Sequence, residues 1–329
     1  MTSRFHKHLF VSGPSRCGTT MLRLVLSSHP DITITPEARF ITSIFCALPY
    51  LPYPTKRLNQ QEVMYFLELL RAEKKLKAWP GLNTERLCND MLAAHMPTMP
   101  ELLDKIFVGF AKAVNGGDAI VGNKKGAYAL GYGSLYKQMF PDAKFIFIVR
   151  DPRDAIASIL KNVDASFRYA LSTYFTRFAY IYSMCTHYAQ DSLVVRYEDV
   201  VNNPKKICER ICSFLEVTFH EKMIDFYKNN KDYRLLSSAG SRHHPHTNGP
   251  FDATRIGQWE SDQSLTNDQI ATIEKIGKKY MAQWGYALSA QVKRYSFNTD
   301  ICKYYVDLCG RKAVTHALHR RWQKQIKKG

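Results

Sequence analysis

Between Leu9 and Leu22 the chain reads Leu-Phe-Val-Ser-Gly-Pro-Ser-Arg-Cys-Gly-Thr-Thr-Met-Leu: a short apolar run, a glycine-bounded loop, then an apolar-periodic segment. Gly13 and Gly18 have the spacing of a loop that wraps an anion between a strand and a helix, using backbone N–H groups and the helix N-terminus. In a nucleoside-triphosphate loop a Lys follows the second Gly to reach the β/γ-phosphates. Here Thr19 stands in that place, and the cation lies inside the loop as Arg16. The stretch can hold a phosphate, but it lacks the triphosphate lysine. Glu37 follows a predicted strand, and a carboxylate at a strand's carboxyl end lies where open α/β sheets bind ligands.

These groups need elements to position them. A helix is expected over Thr19–Ser28, with Leu22, Val25 and Leu26 on one face, ended by His29-Pro30. Asp31–Thr35 alternates β-branched residues as a second strand, and Pro36-Glu37-Ala38-Arg39 opens a further helix. From about residue 40 to 116 the pattern is helical, with amphipathic segments at 60–76, 84–95 and 100–114, and reads as an insertion covering the site. Asp118–Gly122 is a third strand, ending in Asn123-Lys124-Lys125. Ala143–Val149 is almost wholly apolar, as a parallel strand buried on both faces should be. Its helix opens at Asp151-Pro152, with Pro at the favoured first position. A long aromatic helix over 166–190, a strand over Ser192–Arg196, and helices over 204–215 and 266–284 complete the pattern. Strands alternating with helices imply a parallel sheet with right-handed crossovers.

The 329 residues predict one α/β domain, residues 1–289 with the insertion, followed by a basic aromatic extension over 290–329. Met1–His8 is not followed by a signal-length apolar run, and no stretch approaches a membrane span, so the expected location is cytoplasmic. The eight cysteines include no Cys-x-x-Cys pair, which speaks against a zinc site or a disulfide framework. His243-His244-x-His246 has no Cys or carboxylate at ligand spacing, and no metal is expected. The net charge of +17 predicts an anionic partner, and from Ala290 onward ten Lys or Arg face two Asp.

Four ordered motifs carry a family resemblance. Gly13-Pro-Ser-Arg-Cys-Gly-Thr-Thr20 resembles the 5′-phosphosulfate loop of sulfotransferases, usually Pro-Arg-Ser-Gly-Thr-Thr, with Ser15 where Pro is usual and Cys17 where Ser is usual. Phe145–Ser158 resembles the family's 3′-phosphate motif, with Arg150 after a buried strand and Ser158 eight residues on. Val195–Asp199 resembles its Tyr-Glu-Asp segment, and Ile256-Gly257-Gln258-Trp259 its C-terminal Gly-x-Trp loop. The resemblance implies a P-loop NTPase-like three-layer fold with a central parallel sheet of about five strands.

It also implies the donor, 3′-phosphoadenosine 5′-phosphosulfate. Ser15, Arg16, Cys17, Gly18, Thr19 and Thr20 would hold its 5′-phosphosulfate end, and Arg150 and Ser158 its 3′-phosphate. Tyr197 matches the adenine-contacting tyrosine, and Arg255, Gly257 and Trp259 match a loop closing over the nucleotide. Lys124 matches the lysine beside the leaving group. Glu37-Ala38-Arg39 resembles the Glu-x-Arg of tyrosylprotein and several bacterial sulfotransferases, which makes Glu37 the base and puts Arg39 at the acceptor. Arg153 is left with two roles, pairing with Asp199 or contacting phosphate.

Sulfuryl transfer runs through a loose in-line displacement stabilised by positioning and fixed positive charge. Arg16 offers a planar fork of donors to the bridging oxygen, where leaving-group charge grows. The expected activity is metal-free transfer of sulfuryl to a hydroxyl of a carbohydrate or glycolipid. A P-loop nucleotide kinase is the first alternative, opposed by Thr19; a non-catalytic polyanion-binding module is the second, favoured by the charge. No specific nucleic-acid partner is expected. The tail either packs on the domain as a helix or meets an anionic membrane peripherally, with Trp322 and Ile326 one turn apart among cations.

Overall fold

The computed structural model describes residues 6–38, 55–73, 76, 79, 81–114, 116–124, 133–162, 165–229 and 249–289. Five parallel strands form its centre: β1 (Lys7–Ser12), β2 (Ile32–Thr35), β3 (Ile120–Lys124), β4 (Lys144–Val149) and β5 (Ser192–Arg196), in the order β2-β3-β1-β4-β5. This order places β1, with the glycine loop that follows it, between β3 and β4. Side chains alternate faces along a strand. Leu9, Val11, Ile146 and Ile148 therefore enter one core, together with Ile32, Ile34 and Val195. Phe10, Phe145, Phe147 and Val149 enter the other. Burial on both faces is why β4 carries no polar residue after Lys144.

The helices before β4 are α1 (Thr19–Ser27), α2 (Gln60–Ala72), α3 (Thr84–Leu92), α4 (Met99–Ala113) and α5 (Gly133–Met139). Those after it are α6 (Pro152–Asn162), α7 (Phe167–His187), α8 (Tyr197–Asn202), α9 (Pro204–Leu215), α10 (Phe226–Asn229), α11 (Gln258–Ser261) and α12 (Asn267–Gln283). Helices α1, α8, α9 and α10 cover the Leu9 face. Helices α2 to α7 and α12 cover the Phe10 face, giving the three layers that the alternation of elements predicts. Reciprocal capping boxes start α2 (Asn59 with Glu62), α4 (Thr98 with Glu101) and α12 (Thr266 with Gln269), satisfying backbone donors that a helix start leaves unpaired.

The structure departs from the sequence reading in three places. Residues 36–38 are irregular rather than the opening of a helix. Helices α2, α3 and α4 belong to the layer on the Phe10 face, with α4 lying on β2 and β3, so the described part of the insertion is core and not a cover. Helices α5, α8, α10 and α11 were absent from the sequence pattern, because seven, six, four and four residues are too few to show a helical period. Arg39, Lys125, His243, His244, His246 and the tail from Ala290 lie outside the described residues. No described helix is long and apolar enough to cross a membrane.

Candidate active site

All five strands end at the same edge of the sheet, and each delivers a group singled out in the sequence. Strand β1 leads into loop 13–18, β2 into Glu37, β4 into Arg150 and β5 into Tyr197, while Lys124 is the last residue of β3. Strands β3 and β4 flank β1, and such reversals of strand order open the crevice where α/β sheets take ligands.

The loop is shaped by close approach. A Cβ on Gly13 would lie 2.3 Å from the carbonyl oxygen of Ile148, and one on Gly18 would lie 2.8 Å from Cδ2 of Tyr197. Gly18 has φ 88° and is the N-cap of α1 without any side-chain cap, so the first N–H groups of the helix face the loop. Arg16 is left-handed, with φ 66°, an uncommon state for a residue with a Cβ. Its carbonyl accepts from Arg150 Nη1 at 3.3 Å, and its Nε donates to Ser158 Oγ at 3.1 Å. The hydroxyl of Ser15 accepts from Arg177, a residue of α7 that no sequence motif marks.

Arg16, Gly18, Thr19, Thr20, Arg150, Ser158, Tyr197 and Arg255 line one open cleft with about 710 Å³ of empty space, joined by Met21, Pro250 and Asp252. Its sign is positive. Burial, followed by the charges of Arg150 and Arg255, pulls the Arg16 guanidinium below the ordinary arginine range. Arg150 is 6% exposed, stacks over the Tyr197 ring at 4.8 Å, and pairs with Asp154 at 3.4 Å. Its Nε is buried and has no hydrogen-bond partner among the described residues. Such an orphaned donor costs stability unless a ligand or water takes it up.

Carboxylates behind the cleft hold its walls. Asp154 accepts from the backbone N–H of Gly257 (2.9 Å) and of Trp259 (3.0 Å), pinning the loop that carries Arg255 to α6. Burial raises its carboxyl above the usual range, against the pull of Arg150 and those two donors. Arg153 takes neither of the roles left open for it. Its guanidinium grips both oxygens of Asp151 (2.9 and 2.6 Å), donates to Glu274 of α12 (2.8 Å), and stacks on Trp259 at 4.3 Å. Gly257 and Trp259 thus sit behind the cleft instead of lining it. Glu198 accepts from the N–H of Asp151 and from the Tyr286 hydroxyl, both at 2.9 Å, and burial raises its carboxyl.

Two further assignments need refining. The Cys17 side chain is fully buried in the core, where desolvation pushes the thiol up to about 12. Any part Cys17 takes in anion binding is therefore through its backbone. Glu37 and Lys124 form an ion pair at 2.8 Å at the ends of β2 and β3, with side chains 35% and 10% exposed, outside the lining of the arginine cleft. Asn123, given no role in the sequence reading, sets this corner by donating to Thr35 Oγ1 (2.7 Å) and to the carbonyl of Pro36 (3.0 Å). The full burial of its side chain is visible only in the structure, and an Asn at the end of an apolar strand carries no sequence signal of it.

The model of the Sulfotransferase family matches residues 8–221, more than half of the chain. The protein-tyrosine sulfotransferase of Drosophila melanogaster is 24% identical over 225 residues, which cover 66% of this chain and 39% of that protein. Protein-tyrosine sulfotransferase 1 of Danio rerio is 26% identical over 223 residues, covering 66% of this chain and 55% of that one. The chain spans about half the length of the curated relatives it matches. Among solved structures, the sulfotransferase domain from the curacin biosynthetic pathway shares the fold, with a TM-score of 0.62 at 18% identity over 87% of this chain and all of that one. On the family model's span, and with the glycine loop and the strand-end residues inside it, the chain belongs to the sulfotransferase family.

Proposed function

We propose that the protein transfers a sulfuryl group from 3′-phosphoadenosine 5′-phosphosulfate to an acceptor hydroxyl by metal-free in-line displacement. The carrying observation is the convergence of Arg16, Arg150 and Arg255 on the uncapped start of α1, with the Nε of Arg150 buried and without a hydrogen-bond partner among the described residues. The cleft fits such a donor in charge and in close backbone approach at Gly18. Arg16, Gly18, Thr19 and Thr20 would hold the 5′-phosphosulfate, Arg150 and Ser158 the 3′-phosphate, and Tyr197 and Arg255 the adenosine side. The donor, when bound, supplies the sulfuryl group and a phosphate leaving group.

The chain's own contribution is charge and orientation. Arg16, tied to Ser158, presents fixed positive charge where the leaving group gains negative charge, the kind of preorganised stabilisation that dominates many rate enhancements. Lys124 orients the Glu37 carboxylate, and Glu37 removes the acceptor's proton, a step typically worth about 10²–10⁴-fold. The carbohydrate or glycolipid acceptor rests on the sequence alone. A tyrosine hydroxyl is the second reading, favoured by the names of the Drosophila and Danio relatives. The five described cysteines are free thiols, which fits a reducing, cytoplasmic setting. Neither the family match nor any described residue supports a membrane contact by the tail.

The test is transfer of labelled sulfuryl to a panel of glycans, glycolipids and tyrosine peptides. Transfer to one class identifies the acceptor. No transfer from this donor to any hydroxyl, or Mg²⁺-dependent ATP turnover instead, overturns the proposal in favour of the kinase alternative. Polyanion binding with no transfer would favour the binding module.

A further inference from the structure

We infer that Arg177 of α7 is a positioning residue for the anion loop: by donating to the Ser15 hydroxyl it fixes the backbone at residue 15, which the left-handed turn at Arg16 follows, and residue 15 is where the family's usual loop has a proline, whose ring fixes its own φ. Its consequence for donor affinity rests on the function proposed above. Its consequence for the loop itself does not.

Arg16 at φ 66° needs external restraint, because a residue with a Cβ leaves that region readily. Two restraints come from inside the cleft, Arg150 on the carbonyl of Arg16 and Ser158 on its Nε, and both belong to residues that would also serve the donor. Arg177 is different. It does not line the cleft, it is half-buried, and it arrives from 162 residues away in sequence. One turn earlier on the same helix, Tyr174 is fully buried and donates its hydroxyl to the carbonyl of Arg150. Residues three apart share a helix face. Helix α7 therefore grips both arginine-bearing loops from behind, the one after β1 through Arg177 and the one after β4 through Tyr174.

The sequence departure at Ser15 gains a reason from this contact. Proline fixes φ by its ring and needs no partner, whereas serine leaves the backbone free but supplies a hydroxyl that a cation can anchor. The chain has exchanged a covalent restraint for a long-range hydrogen bond.

The experiment is a double-mutant cycle on the full chain, using Arg177→Met, which keeps the apolar stem, Ser15→Ala, the double variant, and Ser15→Pro in the Arg177→Met background. Amide exchange of residues 16–18 reads the loop directly, and calorimetry with 3′-phosphoadenosine 5′-phosphate reads its consequence. Each single variant is expected to speed loop exchange and weaken binding about tenfold, the size of one lost charge-assisted hydrogen bond. The double variant should be no worse than either single one, and Ser15→Pro should recover most of the loss in the Arg177→Met protein. Wild-type loop exchange in Arg177→Met, additive effects in the double variant, or no recovery by Pro would overturn the inference. Should the wild type bind no nucleotide, the donor assignment falls, while the exchange data still decide the role of Arg177.

Discussion

Gly18→Ala is the change whose effect the structure fixes most closely. At φ 88° an alanine sits in the left-handed region at a cost of about 1–2 kcal/mol. Its Cβ would also stand 2.8 Å from Cδ2 of Tyr197, about 0.7 Å inside an ordinary carbon contact. That ring is 7% exposed and lies under the Arg150 guanidinium, so it can give way only by leaving its rotamer, adding about 0.5–1.5 kcal/mol. The total is about 1.5–3.5 kcal/mol. Gly257→Ala is the matched control: its φ is 73°, yet among the described residues no atom lies within 4 Å of the added carbon, so only the backbone term applies. Thermal unfolding should show Gly18→Ala losing roughly 2–5 °C and Gly257→Ala about half as much. Calorimetry with 3′-phosphoadenosine 5′-phosphate should show at least tenfold weaker binding for Gly18→Ala, because displacing Tyr197 disturbs Arg150. Equal, small effects of the two substitutions would refute the close-approach argument.

Other expected outcomes follow from the same contacts. Glu37→Gln should lower the rate of sulfuryl transfer by about 10²-fold or more while leaving nucleotide affinity near wild type; matched losses of both would make Glu37 a structural residue. Arg153→Ala strands the buried Glu274 and the partly buried Asp151 without their shared cation and should cost about 3–5 kcal/mol in chemical denaturation. Because burial raises the Glu198 carboxyl in the folded state, the folded chain holds that proton to higher pH than the unfolded chain. Its contribution to stability is therefore greatest below the ordinary glutamate range and falls as pH rises toward the folded value. Glu198→Gln should remove that fall from a pH series of denaturation curves. The Cys17 thiol, pushed up to about 12 and buried, should resist alkylation of the native protein at pH 8, and labelling of Cys17 before unfolding would contradict its placement. Transfer should proceed at an unchanged rate in the presence of a chelator, and a chelator-sensitive rate would overturn the metal-free proposal.

What the sequence made legible was local. The apolar run of β4, the glycines at 13 and 18, and the Asn203-Pro204 helix start each announce themselves within a few residues, and the strands they predict fall at their places in the sheet. The groups that support the cleft act over long range and leave no such trace. Arg153 meets Glu274 across 121 positions and Arg177 meets Ser15 across 162, so local spacing could not assign either side chain. The buried carboxylates Asp154 and Glu198 read in the sequence as charged residues, and the partners they collect from distant parts of the chain, backbone N–H groups together with Arg150 and the Tyr286 hydroxyl, explain their burial. The packing of the described insertion helices was not legible for a related reason. An amphipathic helix shows that one face is covered, and its sequence does not say whether by the sheet or by a ligand.

The central claim, that the arginine cleft is the site of a 3′-phosphorylated adenosine donor, is tested most directly by titrating 3′-phosphoadenosine 5′-phosphate into the wild type and Arg150→Ala side by side. The account predicts saturable, 1:1 binding by the wild type and a loss of at least tenfold when the Arg150 guanidinium is removed from beneath that ligand. Undiminished binding by Arg150→Ala, or none by the wild type, would contradict it.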